Sequence, residues 1–151
     1  MPARSSEISY NTNLASEYLL MSLLCRAGKD AYLSLGNKKG VDIIVRTLAG
    51  AIAVVEVKGV NKANDWLICN HGKLPVAPNL FYALVCFQGR ISELTSAADI
   101  WLIPSERLQP DTEHVVHKNG KTVYLRRSNI IKNYLAFKDT FESLNTYLET
   151  H

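Results

Sequence analysis

Two runs of β-branched and aliphatic residues, separated by only three residues, constrain the fold of this chain more than any other feature. The runs are residues 41–47 and 51–58, and Leu48, Ala49 and Gly50 lie between them. β-Branched residues favour strands, and a connection this short joins antiparallel neighbours. We therefore predict a β-hairpin. Its second strand begins with apolar residues on both faces, so we expect it to be central in a sheet that is covered on each side.

Helical and strand-like segments surround this hairpin. Residues 14–27 contain neither Gly nor Pro and predict a helix, with Asn13 as its N-cap and Gly28 just after its last turn. Residues 59–79 include two prolines and predict mostly loop, with at most a short helical turn. The remaining predicted strands are short and largely apolar, and they span residues 31–35, 80–87, 100–103, 114–116 and 122–125.

The end of the chain predicts two peripheral elements. Asn119-Gly120 lies between the last two predicted strands and is typical of a hairpin turn. Phe137, Phe141, Leu144 and Leu148 recur at helical spacing and predict an amphipathic closing helix. The order of elements indicates an α/β fold with a mixed sheet.

Composition limits the class of protein. The chain has 151 residues, of which 47% are hydrophobic and 21% charged, which is typical of one globular domain spanning residues 1–151. The formal net charge of +3 permits a nucleic-acid partner without demonstrating one. Three separated cysteines argue against a disulfide framework or a zinc cluster. Without a signal peptide or a long apolar run, we expect a reduced, cytoplasmic protein that does not enter a membrane.

Three charged residues, Asp42, Glu56 and Lys58, interrupt the otherwise apolar hairpin strands. Strand alternation places Glu56 and Lys58 on one face of the second strand. A two-residue turn would send Asp42 to the opposite face, whereas a three-residue loop would place it across from Glu56. Gly50 suits the left-handed third position of a three-residue loop, which favours the second arrangement.

Carboxylates paired in this way would have Cβ atoms about 4.5 to 5.5 Å apart. Two anions at that range repel each other unless a cation lies between them, and oxygen ligands suit Mg²⁺ or Mn²⁺. The backbone carbonyl of Val57 would be a further oxygen ligand. Lys58 could hold a hydroxide or a phosphoryl oxygen. This set of groups is what a phosphodiester hydrolase requires.

The same residues resemble the motif of the PD-(D/E)xK nuclease superfamily. Asp42 follows Gly40-Val41, and Glu56-Val57-Lys58-Gly59 begins fourteen positions after it. Glu17 matches an additional acid found in the first helix of small, Holliday-junction-resolvase-like members. Val41 replaces the proline of the motif. The resemblance covers residues 14–87 and implies a restriction-endonuclease-like αβββαβ core, with the second hairpin and the last helix at its periphery.

The resemblance also implies an activity. Asp42 and Glu56 would bind Mg²⁺ or Mn²⁺, Glu17 would bind it directly or through water, and Lys58 would orient or help to deprotonate the attacking water. The protein would then be a divalent-metal-dependent endonuclease that hydrolyses DNA, with a homodimer as its expected assembly. Four loop lysines border this site and could meet phosphates, although surface lysines are usually only solvated. They are Lys38, Lys39, Lys62 and Lys73.

Other interpretations fit the same residues. Asp42, Glu56 and Lys58 could form a structural ion pair, and a glutamate in the first turn of a helix is favoured by the helix dipole alone. A non-catalytic module that keeps the fold and binds nucleic acid or a protein is therefore the alternative function. A metal-dependent hydrolase of another phosphate ester is a third.

Overall fold

The computed structural model describes residues 5–35, 40–69, 73–108, 113–117 and 120–151. The helices are α1 (Ser5–Arg26), α2 (Ser105–Leu108), α3 (Arg127–Asn133) and α4 (Glu142–Thr150), with a 3₁₀ turn at Leu135–Phe137. The strands are β1 (Asp30–Leu33), β2 (Ile43–Arg46), β3 (Ile52–Val60), β4 (Trp66–Cys69), β5 (Leu80–Cys86), β6 (Asp99–Pro104), β7 (Glu113–His117) and β8 (Gly120–Leu125).

Five strands form a mixed central sheet in the order β1-β2-β3-β5-β6. Only β3 and β5 run parallel, and the other neighbours are antiparallel. A second sheet has three antiparallel strands in the order β4-β8-β7. This architecture confirms the predicted α/β class with a mixed central sheet, a peripheral hairpin and a C-terminal helix.

The hairpin of β2 and β3 has the predicted three-residue connection. Arg46 pairs with Ile52, and the Thr47 N–H donates to the Ala51 carbonyl at 2.9 Å. Gly50 has φ +100°, a backbone conformation that is costly for any residue with a Cβ atom. The loop therefore fixes the register of the hairpin, in which Ile43 pairs with Val55 and Asp42 directly precedes that pair.

Each face of the central sheet has its own apolar core. On one face, Ala53, Val55 and Val57 of β3 pack in a cluster with residues of α1 and α4. On the other face, Val54 and Val60 pack against a cluster that includes Trp66 of the small sheet. All seven residues of β5 are buried, as expected for a strand covered on both sides.

Two sequence predictions need correction. The first helix begins at Ser5 rather than at residue 14, so Asn13 lies inside α1 and is not its N-cap. The described part of residues 59–79 is mostly loop, as predicted, but its regular structure is strand and not a helical turn, because β3 continues to Val60 and Trp66–Cys69 forms β4. In the described part of this connection, a strand thus takes the place of the helix in the αβββαβ order.

Candidate active site

The site lies just before the first residue of β2, where β3 continues without β2 beside it. β2 begins at Ile43, which lies opposite Val55, whereas β3 pairs with β5 as far as Val60. On the β2 side, the second half of β3 therefore has no neighbouring strand in the described pairing. Charged groups can approach β3 there without breaking a complete sheet.

Asp42 lies at this end of β2 and replaces the missing strand contact with its side chain. Its own N–H donates to the Val55 carbonyl at 2.9 Å, and its Oδ2 accepts the Val57 N–H at 2.6 Å. The N–H and carbonyl of one strand residue point to the same side, so the Val57 carbonyl also points toward Asp42. Two oxygens from two strands thus face the same open edge.

Glu56 and Lys58 form an ion pair on the neighbouring part of β3. Lys58 Nζ lies 2.8 Å from Glu56 Oε1, with the Glu56 side chain 7% exposed and that of Lys58 26% exposed. Gly40, at φ +88°, brings the turn before β2 close to this pair, because a Cβ atom there would lie 3.6 Å from Glu56 Oε2. A charge this deeply buried requires a partner, and Lys58 supplies one.

Glu17 of α1 interacts electrostatically with Asp42 and Lys58. Partial burial raises the pKa of Glu17, the negative charge of Asp42 raises that pKa further, and Lys58 opposes both effects. Burial also raises the pKa of Asp42, against the hydrogen bond from Val57 and the charge of Lys58. Glu17, Asp42 and Lys58 thus come from three separate segments of the chain and influence one another through their charges.

The four acidic and basic residues nevertheless do not form a closed metal cage. Among the described residues, no group of three or more His, Cys, Asp or Glu side chains lies close enough together to hold a metal ion. A metal ion at this site would therefore have at most two of the described carboxylates, together with the Val57 carbonyl, as protein ligands.

The structure describes two of the four predicted loop lysines. Lys62 is exposed just after β3, and Lys73 is exposed just before the buried Leu74. Lys38 and Lys39 lie outside the described residues. A pocket of about 320 Å³ opens beside Lys58 and Gly59, between α1 and β4, and Ser9, Asn13 and Trp66 contribute to its lining.

The sequence analysis missed one contact at this site, between α1 and β3. Asn13 Oδ1 accepts the Gly59 N–H at 3.3 Å, and buried Ser16 lies directly against Gly59. The glycine that follows Lys58 was visible in the sequence and could have indicated a close approach of another backbone. Its partner could not be identified, since Asn13 was interpreted as a helix cap.

None of the helices that the structure describes combines the length and the apolar character needed to cross a membrane.

No protein-family model and no curated protein matches the sequence. Among solved structures, the chain is similar to a bacterial homing endonuclease, I-Ssp6803I, with a TM-score of 0.52 and 11% sequence identity. The similarity covers 92% of this chain and 90% of that one. At this identity it shows a shared, nuclease-like fold.

Proposed function

We propose that this protein is an endonuclease of the PD-(D/E)xK type that hydrolyses DNA phosphodiester bonds with Mg²⁺ or Mn²⁺. One set of contacts supports the proposal. Asp42 accepts the Val57 N–H on the open side of β3, the Glu56–Lys58 ion pair lies on the same strand, and Glu17 interacts electrostatically with Asp42 and Lys58, on a fold shared with a homing endonuclease. A structural ion pair would explain Glu56 and Lys58, but it would not require two further acids whose pKa values are raised.

The oxygen donors fit a hard divalent cation. Asp42 uses Oδ2 for the Val57 N–H, so Oδ1 is the oxygen that could reach a cation together with the Val57 carbonyl and Glu56. Mg²⁺ commonly binds through one or two carboxylates and keeps several waters, so a cage of three acids is not required. Glu17 would then act through a bound water. A cation here would also relieve the unfavourable charge of Asp42 and Glu17.

In the proposed reaction, a bound divalent cation would supply charge for the phosphate and lower the pKa of a water. Lys58, held by Glu56, would orient the attacking water or neutralise a phosphoryl oxygen as a point charge. Water would attack phosphorus in line, the bond to the 3′-oxygen would break, and the products would be a 5′-phosphate and a 3′-hydroxyl. Asp42 and Lys58 would therefore act through charge and orientation, and neither would form a covalent bond with the substrate.

The chain has features that suit a DNA substrate. The pocket beside Lys58 could accept a nucleotide next to the scissile phosphate, and Lys62 and Lys73 could contact flanking phosphates. One site cuts one strand, so we propose that a homodimer cleaves duplex DNA. Sedimentation of the protein with and without a DNA duplex would test this, and a monomer that cuts both strands would contradict it.

The activity is tested with purified protein, Mg²⁺ or Mn²⁺, and supercoiled, branched and single-stranded DNA. We expect Asp42→Ala and Lys58→Ala to reduce cleavage at least about 100-fold, in the range for lost acid–base groups. Asp30→Ala and Lys138→Ala are matched controls, because both residues form ion pairs away from this edge. Cleavage that persists unchanged in both site variants would contradict the proposal.

A second candidate function has its own support. Lys58 is already paired with Glu56, and no cluster of three acids is present among the described residues. Both features fit a module that keeps the nuclease fold and binds nucleic acid without cutting it. Fluorescence anisotropy with labelled DNA in EDTA separates the two. Tight binding that is unaffected by Asp42→Ala, in a protein without cleavage activity, would favour the module.

A further inference from the structure

The backbones of α1 and β3 lie against each other at Gly59, immediately beside the candidate site. A Cβ atom at Gly59 would lie 1.9 Å from Ser16 Oγ, 2.9 Å from Ser16 Cβ and 3.1 Å from the Thr12 carbonyl oxygen. Gly59 has no left-handed backbone conformation to explain its identity. Glycine is thus required there for space, so that the helix can approach the strand closely.

Two side chains of α1 complete this contact. Asn13 Oδ1 accepts the Gly59 N–H at 3.3 Å, although Asn13 lies within a helix. Ser16 is fully buried, and its Oγ donates to the Thr12 carbonyl at 2.7 Å, which ties that hydroxyl to its own helix. Asn13 therefore fixes α1 along β3, and the small Ser16 and Gly59 fix how close the two elements lie.

We propose that Asn13, Ser16 and Gly59 are positioning residues that set the distance between Glu17 and Lys58. This inference rests on the proposed function, since it assigns a catalytic use to that distance. Ser16 directly precedes Glu17, and Gly59 directly follows Lys58. Any shift of the helix against the strand at this contact therefore passes to Glu17 and Lys58 with almost no chain between them to absorb it.

The expected displacement matters on the scale of catalysis. Even after the Ser16 Oγ rotates away, a methyl group at position 59 must move Ser16 Cβ from 2.9 Å to an ordinary contact of 3.4 Å, a shift of the helix by about 0.5 Å. Misplacement of about 1 Å can cost roughly 100-fold in rate. Loss of the Asn13 acceptor should have a smaller effect, because α1 could then slide along β3 but would not be pushed away from it.

A double-mutant cycle tests the proposal against mere packing. Asn13→Ala, Glu17→Gln and the double variant are compared with wild type by Mn²⁺ affinity, measured by electron paramagnetic resonance, and by kcat and KM for DNA cleavage. We expect Asn13→Ala to weaken Mn²⁺ binding and to lower kcat about tenfold, with KM changed less than about twofold. In the Glu17→Gln background, the same substitution should change either quantity less than about twofold.

Further variants sharpen the result. Asn13→Asp keeps an acceptor oxygen and should retain more activity than Asn13→Ala, and Asn11→Ala on the exposed surface of α1 is the matched control. Equal losses from Asn13→Ala in both backgrounds would overturn the proposal, because a purely structural role does not depend on Glu17.

Failure of the proposed nuclease function can be distinguished from failure of this positioning proposal. If wild type neither binds Mn²⁺ nor cuts DNA, the nuclease proposal fails, and crystal structures of Asn13→Ala and Gly59→Ala decide the positioning. An increased separation of Glu17 from Lys58 in either variant would support the contact as the element that sets it. An unchanged separation in both would overturn it, and Asn13→Ala keeps the test valid if Gly59→Ala does not fold.

Discussion

Asp42 and Glu17 are kept at a cost to the stability of the chain. Burial raises the pKa of each carboxyl group, so each is held in surroundings that disfavour its charged form. Asp30, at the far edge of the same sheet, is the opposite case, because hydrogen bonds from Tyr32 and Arg46 lower its pKa. Carboxyl groups whose ionised form is destabilising are typical of sites that bind another charged group.

We therefore predict that Asp42→Asn stabilises the protein at neutral pH. A raised pKa means that the folded state binds more protons than the unfolded state, so stability falls as pH rises above the ordinary carboxyl range near about 4. Asn still accepts the Val57 N–H but carries no charge. We therefore expect a higher melting temperature than that of wild type at pH 7.

Thermal unfolding between pH 3.5 and pH 7.5 measures this effect. The gain should shrink toward the acidic end, where Asp42 is protonated in both states. Asp30→Asn is the matched control and should give no stabilisation at pH 7, because its charge is favourable in the folded protein. An Asp42→Asn variant that melts below wild type at neutral pH would contradict the argument.

The β2–β3 hairpin is the element on which the site depends most. Its register follows from a loop of three residues, and that register pairs Ile43, the neighbour of Asp42, with Val55. The loop needs a residue that tolerates positive φ at its last position, and Gly50 meets that need at φ +100°. Loop chemistry thus determines the placement of a charged group several residues away.

We predict that Gly50→Ala destabilises the protein by about 1 to 2 kcal/mol, the cost of a Cβ atom in a left-handed conformation. Urea unfolding measures the loss. Leu48→Ala in the same loop is the control, since the Leu48 side chain is fully exposed and its removal should change stability by less than about 0.5 kcal/mol. No loss in Gly50→Ala would mean that the hairpin tolerates another loop geometry, and the register would not be fixed by Gly50.

The hairpin also shows why parts of the fold could be predicted. Its strands and loop are neighbours in sequence, so local propensity and turn chemistry are enough. β4 was missed because Trp66 pairs with Leu125, far along the chain, and because four residues show no clear periodicity. The N-terminal turns of α1 were missed since polar residues there gave no apolar stripe, and Asn13 satisfies a strand N–H that no local pattern reveals.

At the scale of the whole molecule, the site occupies a gap between layers. α1 covers one face of β3, whereas Glu56 and Lys58 lie on the other face, toward the small sheet. β2 begins only at Ile43, which leaves the β2 side of β3 open along its second half. On the opposite side of β3, Trp66 Nε1 donates to the Val85 carbonyl of β5 at 3.1 Å and ties the small sheet to the central one. A mismatch in strand length thus opens one side of β3, and the contacts on its other side hold the strand in place.

A cation bound in that gap would contact only the folded protein, because its ligands come from separate elements. We therefore predict that Mg²⁺ or Mn²⁺ at one hundred times its dissociation constant stabilises wild type by about 2.7 kcal/mol. For a chain of this size, that corresponds to a rise of about 5 to 10 °C in melting temperature. The metal also removes the unfavourable charge of Asp42, so its effect and that of Asp42→Asn should not add.

Differential scanning calorimetry with and without metal checks the prediction in wild type, Asp42→Asn and Asp30→Asn. The shift should be lost in Asp42→Asn and retained in Asp30→Asn, whose carboxylate lies two strands from β3. Calcium is a useful further probe, since it accepts oxygen ligands but tolerates looser geometry than magnesium. An equal shift in all three proteins would show that the metal binds elsewhere, and the open edge of β3 would then carry charge for another purpose.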